Sequence, residues 1–206
     1  NYRIFNEDWF KVFSSTLKQE QNTYGITLVG GDTVSTPGPL SLTITAFGSV
    51  KPGRALSRSK AIDGDFIFVS GFIGDAWLGL AILRGKKMNI DSSSINYVKK
   101  RYYQPTPRVN LGQQLFGLAN SAIDVSDGLI QDLKHICNAS KVSAFVNIND
   151  IPLSKALRPL IKRDSDLIKN AITGGDDYEL LFTAPPFHHR KISKLAETLD
   201  IPLTTI

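Results

Sequence analysis

The sequence predicts a mixed α/β fold of the α+β type, built in two unequal parts. Three observations carry this expectation. Segments with apolar residues at helical spacing alternate with short apolar runs that read as strands. Leu40 to Val50 alternates strictly, with Leu42, Ile44, Ala46 and Gly48 on one face against Ser41, Thr43 and Thr45 on the other. Lys51-Pro52-Gly53 then breaks the pattern and marks the expected domain boundary.

The elements follow in order. Trp9, Val12, Phe13 and Leu17 predict an amphipathic helix over 7–22, and Tyr24 to Val29 a short strand entering Gly30-Gly31-Asp32-Thr33. Past the boundary, Asp65 to Ser70 reads as a strand and Asp75 to Arg84 as a helix, with Trp77, Leu80 and Ala81 as its core contacts. Helices are expected at 94–103 and 108–119, flanking the turn at Pro105 and Pro107, with Tyr102 and Tyr103 packed at a helix end. Ser121 to Val125 predicts a strand, Gly128 to Asn138 a helix, and Ala144 to Ile148 another strand. Short helices and the strand Tyr178 to Ala184 complete the chain, which has no internal repeats.

Composition narrows the function classes. With 42% hydrophobic and 21% charged residues over 206 positions, the chain is neither disordered nor fibrous. Its apolar runs are far shorter than the roughly 20 residues a membrane helix needs. Cys137 is the only cysteine, which excludes an intrachain disulfide and a cysteine-rich zinc site; its apolar neighbours Leu133 and Ile136 give it a packing role. Three histidines, His135, His188 and His189, do not make a histidine-rich metal site, so any divalent metal must be a hard one held by carboxylates. The net charge of +5 is spread along the chain. Its densest stretches, Lys99-Lys100-Arg101 and Arg190 to Lys194, lack interleaved aromatics and read as solvated helix faces, not as a nucleic-acid surface. No secretory signal is present, and the start at Asn1 and the stop at Ile206 in an apolar stretch read as cut ends.

The chemistry-bearing residues fall in three acidic clusters: Gly30-Gly31-Asp32-Thr33, Asp124-Val125-Ser126-Asp127-Gly128 and Gly174-Gly175-Asp176-Asp177-Tyr178. Each adjoins an apolar run, which puts its carboxylates at a strand end or helix start. Paired glycines let backbone amides approach a phosphate closely, because no Cβ intervenes. Carboxylates beside such a polyanion make sense with Mg²⁺ between them. The same residue types also favour turns and helix caps, and Ser126 or Asp127 could simply cap the helix that follows. Neither a P-loop nor a Rossmann dinucleotide motif is present.

"LVGGDT", "PGRALSRSKAIDGDFIFVSGFIGDAWLGL", "AIDVSDGLIQDL" and "ITGGDDYELLF" occur in this order with fitting gaps, from about Tyr24 to Thr183. Together they resemble the thiamine-monophosphate kinases of the PurM-like superfamily of ATP-binding enzymes. The resemblance implies a PurM-like two-domain fold, with residues 1–53 the end of an N-terminal ATP-binding domain and 54–206 most of a C-terminal domain. It implies a cytoplasmic, homodimeric kinase that uses Mg²⁺ and moves the γ-phosphoryl of ATP onto thiamine monophosphate, giving thiamine diphosphate. Asp32, Asp124 and Asp127 correspond to Mg²⁺ ligands. Gly31, Asp32, Arg58 and Ser126 correspond to ATP contacts, and Asp176 to a substrate contact where the family usually has Glu. No catalytic acid or base is implied. The family's upstream Gly-Asp-Asp metal motif has no counterpart before Asn1, and its C-terminal tail none beyond Ile206.

Two rival expectations remain. One is another enzyme of the superfamily, of the aminoimidazole-ribonucleotide synthetase or selenophosphate synthetase type, against which "GGDDYELLF" argues. The other is a non-catalytic nucleotide-binding module, which the missing upstream motif favours. The residues themselves agree with phosphoryl transfer to a phosphate. Such a nucleophile has a second pKa near 6 and needs positioning and charge neutralisation, not a general base. Arg58, always charged, could stabilise the transferring group.

Overall fold

The computed structural model describes residues 6–206, and the chain divides into two units, Asn1–Ser49 and Val50–Ile206. The first unit contains helix α1 (Glu7–Tyr24). Its start is set by Asn6, whose side chain accepts the Trp9 amide at 3.0 Å, with Glu7 and Asp8 complementing the helix dipole. Its end is set by Gly25 in the left-handed conformation (φ +63°). Trp9 and Phe13, one turn apart, stack at 5.2 Å, yet the helix buries none of its described residues.

Neither strand predicted in this unit forms. Tyr24 belongs to the helix, and residues 26–50 contain no hydrogen-bonded strand. The alternating side chains of the second predicted strand are exposed, Ile44 at 80%. Alternation specifies which face would be apolar. It does not supply the neighbouring strand whose N–H and C=O groups would complete a ladder.

The second unit is built on a four-stranded antiparallel sheet of order β2-β3-β1-β4, from β1 (Phe66–Ser70), β2 (Ser121–Asp124), β3 (Leu180–Ala184) and β4 (Leu203–Thr205). The register Phe68↔Phe182 and Ile123↔Leu181 sends alternate side chains to opposite faces. Ile67, Val69 and Leu181 share one core with α5 (Leu129–Ser140) through Leu129, Leu133 and Ile136. Phe68 and Phe182, stacked at 5.2 Å, share a second core with Leu111 of α4 (Val109–Gln114) and Ile192 of α8 (His189–Leu199). Helices therefore cover both faces, which is why β1 and β3 read as continuous apolar runs.

A third core joins α2 (Asp75–Leu83), α3 (Ser92–Tyr103), α6 (Arg158–Arg163) and α7 (Leu167–Thr173) through Leu78, Val98, Leu160 and Ala171. Trp77 packs against it only partly buried, while Ala76 and Leu78 carry the fully buried face of α2. Two further expectations are corrected. The segment Ala144 to Ile148 forms no strand and runs into a short 3₁₀ turn, Ile148–Asp150, because no strand of the sheet pairs with it. The strand expected from Tyr178 starts only at Leu180, because Tyr178 is left-handed (φ +50°) and breaks the extended run.

Candidate functional site

One end of this sheet gathers the chemistry. Because β2, β3 and β1 are antiparallel in turn, the last residue of β2, the first of β3 and the last of β1 lie at the same edge. Asp124 faces Leu180 in the ladder there, and the turn 125–128 leads into α5.

The turn is held from below by Asp132. Its carboxylate, 2% exposed, accepts the amides of Asp127 and Gly128 through one oxygen, both at 3.1 Å. Burial pushes the Asp132 carboxyl up from its ordinary value, and the negative charges of Asp127 and Asp124 add to that. Neither Ser126 nor Asp127 caps α5: the capping position is Gly128 (φ +121°), which has no side chain to offer. The capping carboxylate reaches back from inside the first turn, as in a capping box, and this leaves the Asp127 side chain 66% exposed.

The second and third acidic clusters are laced together. The Asp176 amide donates to the Ser126 carbonyl at 2.9 Å, the Tyr178 amide to the Val125 carbonyl at 2.8 Å, and the Val125 amide to the Glu179 carbonyl at 2.8 Å. The approach is close enough that a Cβ on Gly175 (φ +68°) would meet the Ser126 carbonyl oxygen at 2.4 Å. Glycine is required there for both conformation and space. Asp176 emerges beside this junction, with the Tyr178 hydroxyl 3.4 Å from its carboxylate.

Next to the turn lies a cleft of about 520 Å³ lined by Leu56, Ser57, Arg58, Asp124, Ser126, Asp127 and His135, among others. Arg58 arrives because the Ser57 carbonyl accepts the Ala122 amide at 3.3 Å along the free edge of β2, while the Ser140 hydroxyl donates to the Arg58 carbonyl at 2.9 Å. Four predicted residues thus meet in one place, and Asp176 is tied to the same turn. Gly31 and Asp32 belong to the other unit. There the Asp32 carboxylate accepts the Thr33 amide at 2.8 Å, and the surroundings of Gly31 are open.

Sequence reasoning missed several residues of this region. His135, one turn beyond Asp132, puts Nε2 3.9 Å from the Asp127 carboxylate. Asp127, Asp132 and His135 offer ligand atoms within 4.8 Å of one another, a grouping that omits Asp124. The one-turn spacing of Asp132 and His135 on the helix that follows Asp127 was the available signal. Arg101, expected on a solvated face, has a side chain only 13% exposed and pairs with Glu179 at 3.0 Å.

The fold around this cleft belongs to a recognisable class: a PurM-like architecture with an acid-lined cleft at one end of its sheet. No family model matches the chain. Over nearly its whole length, however, it is similar in sequence to curated thiamine-monophosphate kinases. Those of Escherichia coli strain K12 and Haemophilus influenzae are 43% and 42% identical to it, each alignment covering 98% of this chain and 61% and 60% of those proteins. The enzyme of Bacillus subtilis is 32% identical over 98% of this chain and 62% of its own length. The chain thus spans 60–62% of the length of these three relatives.

Among solved structures, thiamine-monophosphate kinase from Stenotrophomonas maltophilia K279a superposes with a TM-score of 0.91 at 43% identity, covering 98% of this chain and 65% of that one. AaThiL, complexed with AMPPCP and TMP, gives a TM-score of 0.62 at 30% identity over 73% of this chain and 46% of its own. The hydrogenase maturation protein HypE of Escherichia coli shares the fold, with a TM-score of 0.73 at 16% identity over 98% of this chain and 63% of that one.

Proposed function

We propose that the protein carrying this chain is a thiamine-monophosphate kinase, a cytoplasmic homodimer that transfers the γ-phosphoryl group of ATP to thiamine monophosphate. In this reading Val50–Ile206 supplies a PurM-like C-terminal domain and the first unit belongs to an N-terminal ATP-binding domain. The observation that carries it is the meeting of Arg58, Asp124, Ser126 and Asp127 in one cleft, with the Asp176 loop hydrogen-bonded to the same turn.

The donor set fits a hard divalent cation: carboxylates project into an open cleft, and no thiol is near. Mg²⁺ held by Asp124 and Asp127 would neutralise charge on the ATP phosphates. On the first unit, Gly31 and Asp32 are nucleotide and metal contacts. Arg58 offers its guanidinium to a phosphoryl oxygen, and the Ser126 hydroxyl to another. Asp176 meets the acceptor, whose thiazolium carries a positive charge a carboxylate can favour. An oxygen of the acceptor phosphate forms the new bond to the γ-phosphorus as the bond to the β-bridging oxygen breaks and ADP leaves. The acceptor is mostly dianionic at neutral pH, so no side chain takes a proton.

Presenting the full-length protein with ATP, Mg²⁺ and a panel of acceptors tests this. Thiamine diphosphate should form from thiamine monophosphate, with no turnover of the substrates of aminoimidazole-ribonucleotide or selenophosphate synthetases. Turnover of either of those, or nucleotide binding without any turnover, would overturn the reading.

A further inference from the structure

Beneath the acceptor-contacting loop lies a buried ionic cluster that the chemistry above leaves unused. The Glu179 side chain, 1% exposed, accepts four hydrogen bonds: from the Ser70 hydroxyl at 2.6 Å, from Arg101 Nη2 at 3.0 Å, and from Arg108 Nε and Nη2, both at 2.6 Å. Arg101 Nη2 also donates to the Asp177 carbonyl at 3.0 Å. The fully buried Asp177 carboxylate accepts the Gly74 amide at 2.9 Å and the Ala76 amide at 3.3 Å at the start of α2. A buried carboxylate is tolerated only when so fully partnered, and two planar guanidiniums converging on one oxygen fix its place tightly.

What the cluster holds is strained. Asp176 and Tyr178 have φ of +61° and +50°, left-handed values that cost a non-glycine residue roughly 1–2 kcal/mol each. Such conformations persist only where surrounding bonds over-determine them. Here the determination alternates along the chain: Asp177 and Glu179 point inward to the arginines and α2, while Asp176 and Tyr178 point outward. Anchoring the inward pair sets the direction of the outward pair.

We propose that Arg101, Arg108 and Glu179 are positioning residues for acceptor recognition, holding Asp176 and the 40% exposed Tyr178 ring as one preset contact surface for the acceptor. The identity of the acceptor rests on the functional reading above; the anchoring of the loop does not.

The experiment uses the full-length protein with Arg101→Lys, Arg108→Lys and Glu179→Gln, which keep size or charge and lose fork geometry or ionisation. Thr183→Val, a buried change at the far end of β3 that removes bonds to Ser121 and Asp65, controls for plain destabilisation. Two quantities are read: amide exchange at Asp176 and Tyr178, and the KM values of both substrates. The three variants should speed exchange at those amides by about tenfold or more, with the β1–β3 ladder unchanged. They should raise the acceptor KM by about tenfold and keep the ATP KM within about twofold. Thr183→Val should lower Tm without that KM split. Unchanged exchange at Asp176 and Tyr178 would overturn the anchoring. Faster exchange with an unchanged acceptor KM would overturn the link to recognition. Wild-type protein inactive on thiamine monophosphate would defeat the functional reading instead, and exchange would still decide the anchoring.

Discussion

At the residue scale, the two carboxylates of the 124–128 turn differ in kind from the one beneath them. Asp124 and Asp127 are exposed and spend nothing on holding the backbone, whereas Asp132 is committed to two amides. Asp124→Asn and Asp127→Asn should therefore each lower turnover by about 100-fold while leaving Tm close to wild type. Activity titrated with Mg²⁺ beside thermal melts checks this, and near-normal activity with ordinary Mg²⁺ dependence would remove the metal role. Asp177 makes the opposite kind of prediction. Burial pushes its carboxyl up to about 7, above the unfolded value of about 3.9. The folded state thus binds more protons than the unfolded state between these values, so the Asp177 contribution is full below about pH 4 and is lost as pH rises through about 7. The Tm of wild type minus that of Asp177→Asn should fall steadily from pH 4 to pH 7; a difference that rises would contradict the assignment.

At the scale of elements, the site is a junction between a strand-to-helix turn and a loop entering the neighbouring strand. Gly175→Ala tests it, because a Cβ would both strain the backbone (φ +68°) and strike the Ser126 carbonyl. The loss of stability should be roughly 1–3 kcal/mol, with activity falling further than stability because Asp176 moves with the loop. Chemical denaturation paired with kinetics would show it. This junction also marks how far the sequence could be read. The acidic clusters, the glycines and the helix after Gly128 were legible because their signals are local. The strand β3 was legible from its apolar run, though not its start, since nothing in Tyr178 itself demands a left-handed backbone. Arg101 and Arg108 were not legible at all. Their partner Glu179 lies more than seventy residues away, and only the packing of α3 against α2 and of α4 against the sheet brings them together. The same limit explains Leu40 to Val50. Its alternation was plain, but a strand exists only with a partner, and the pattern of one segment cannot name it.

At the scale of the whole molecule, two helix-covered cores on either side of one antiparallel sheet hold that sheet end rigid. Arg58, the 124–128 turn and the 174–179 loop are thereby fixed to common backbone, while Gly31 and Asp32 sit on a separate unit. Among the described residues no helix is long and apolar enough to cross a membrane. In the proposed function this sheet end serves direct phosphoryl transfer between two phosphates, with no protein group carrying the phosphoryl in between. The most direct measurement gives the full-length protein ATP labelled with ³²P at the γ position, first alone and then with thiamine monophosphate, and follows the label. Direct transfer gives no labelled protein with ATP alone, and label in the terminal phosphate of thiamine diphosphate once the acceptor is added, one per ADP formed. Label trapped on the protein, or label released only as inorganic phosphate in the presence of the acceptor, would contradict it.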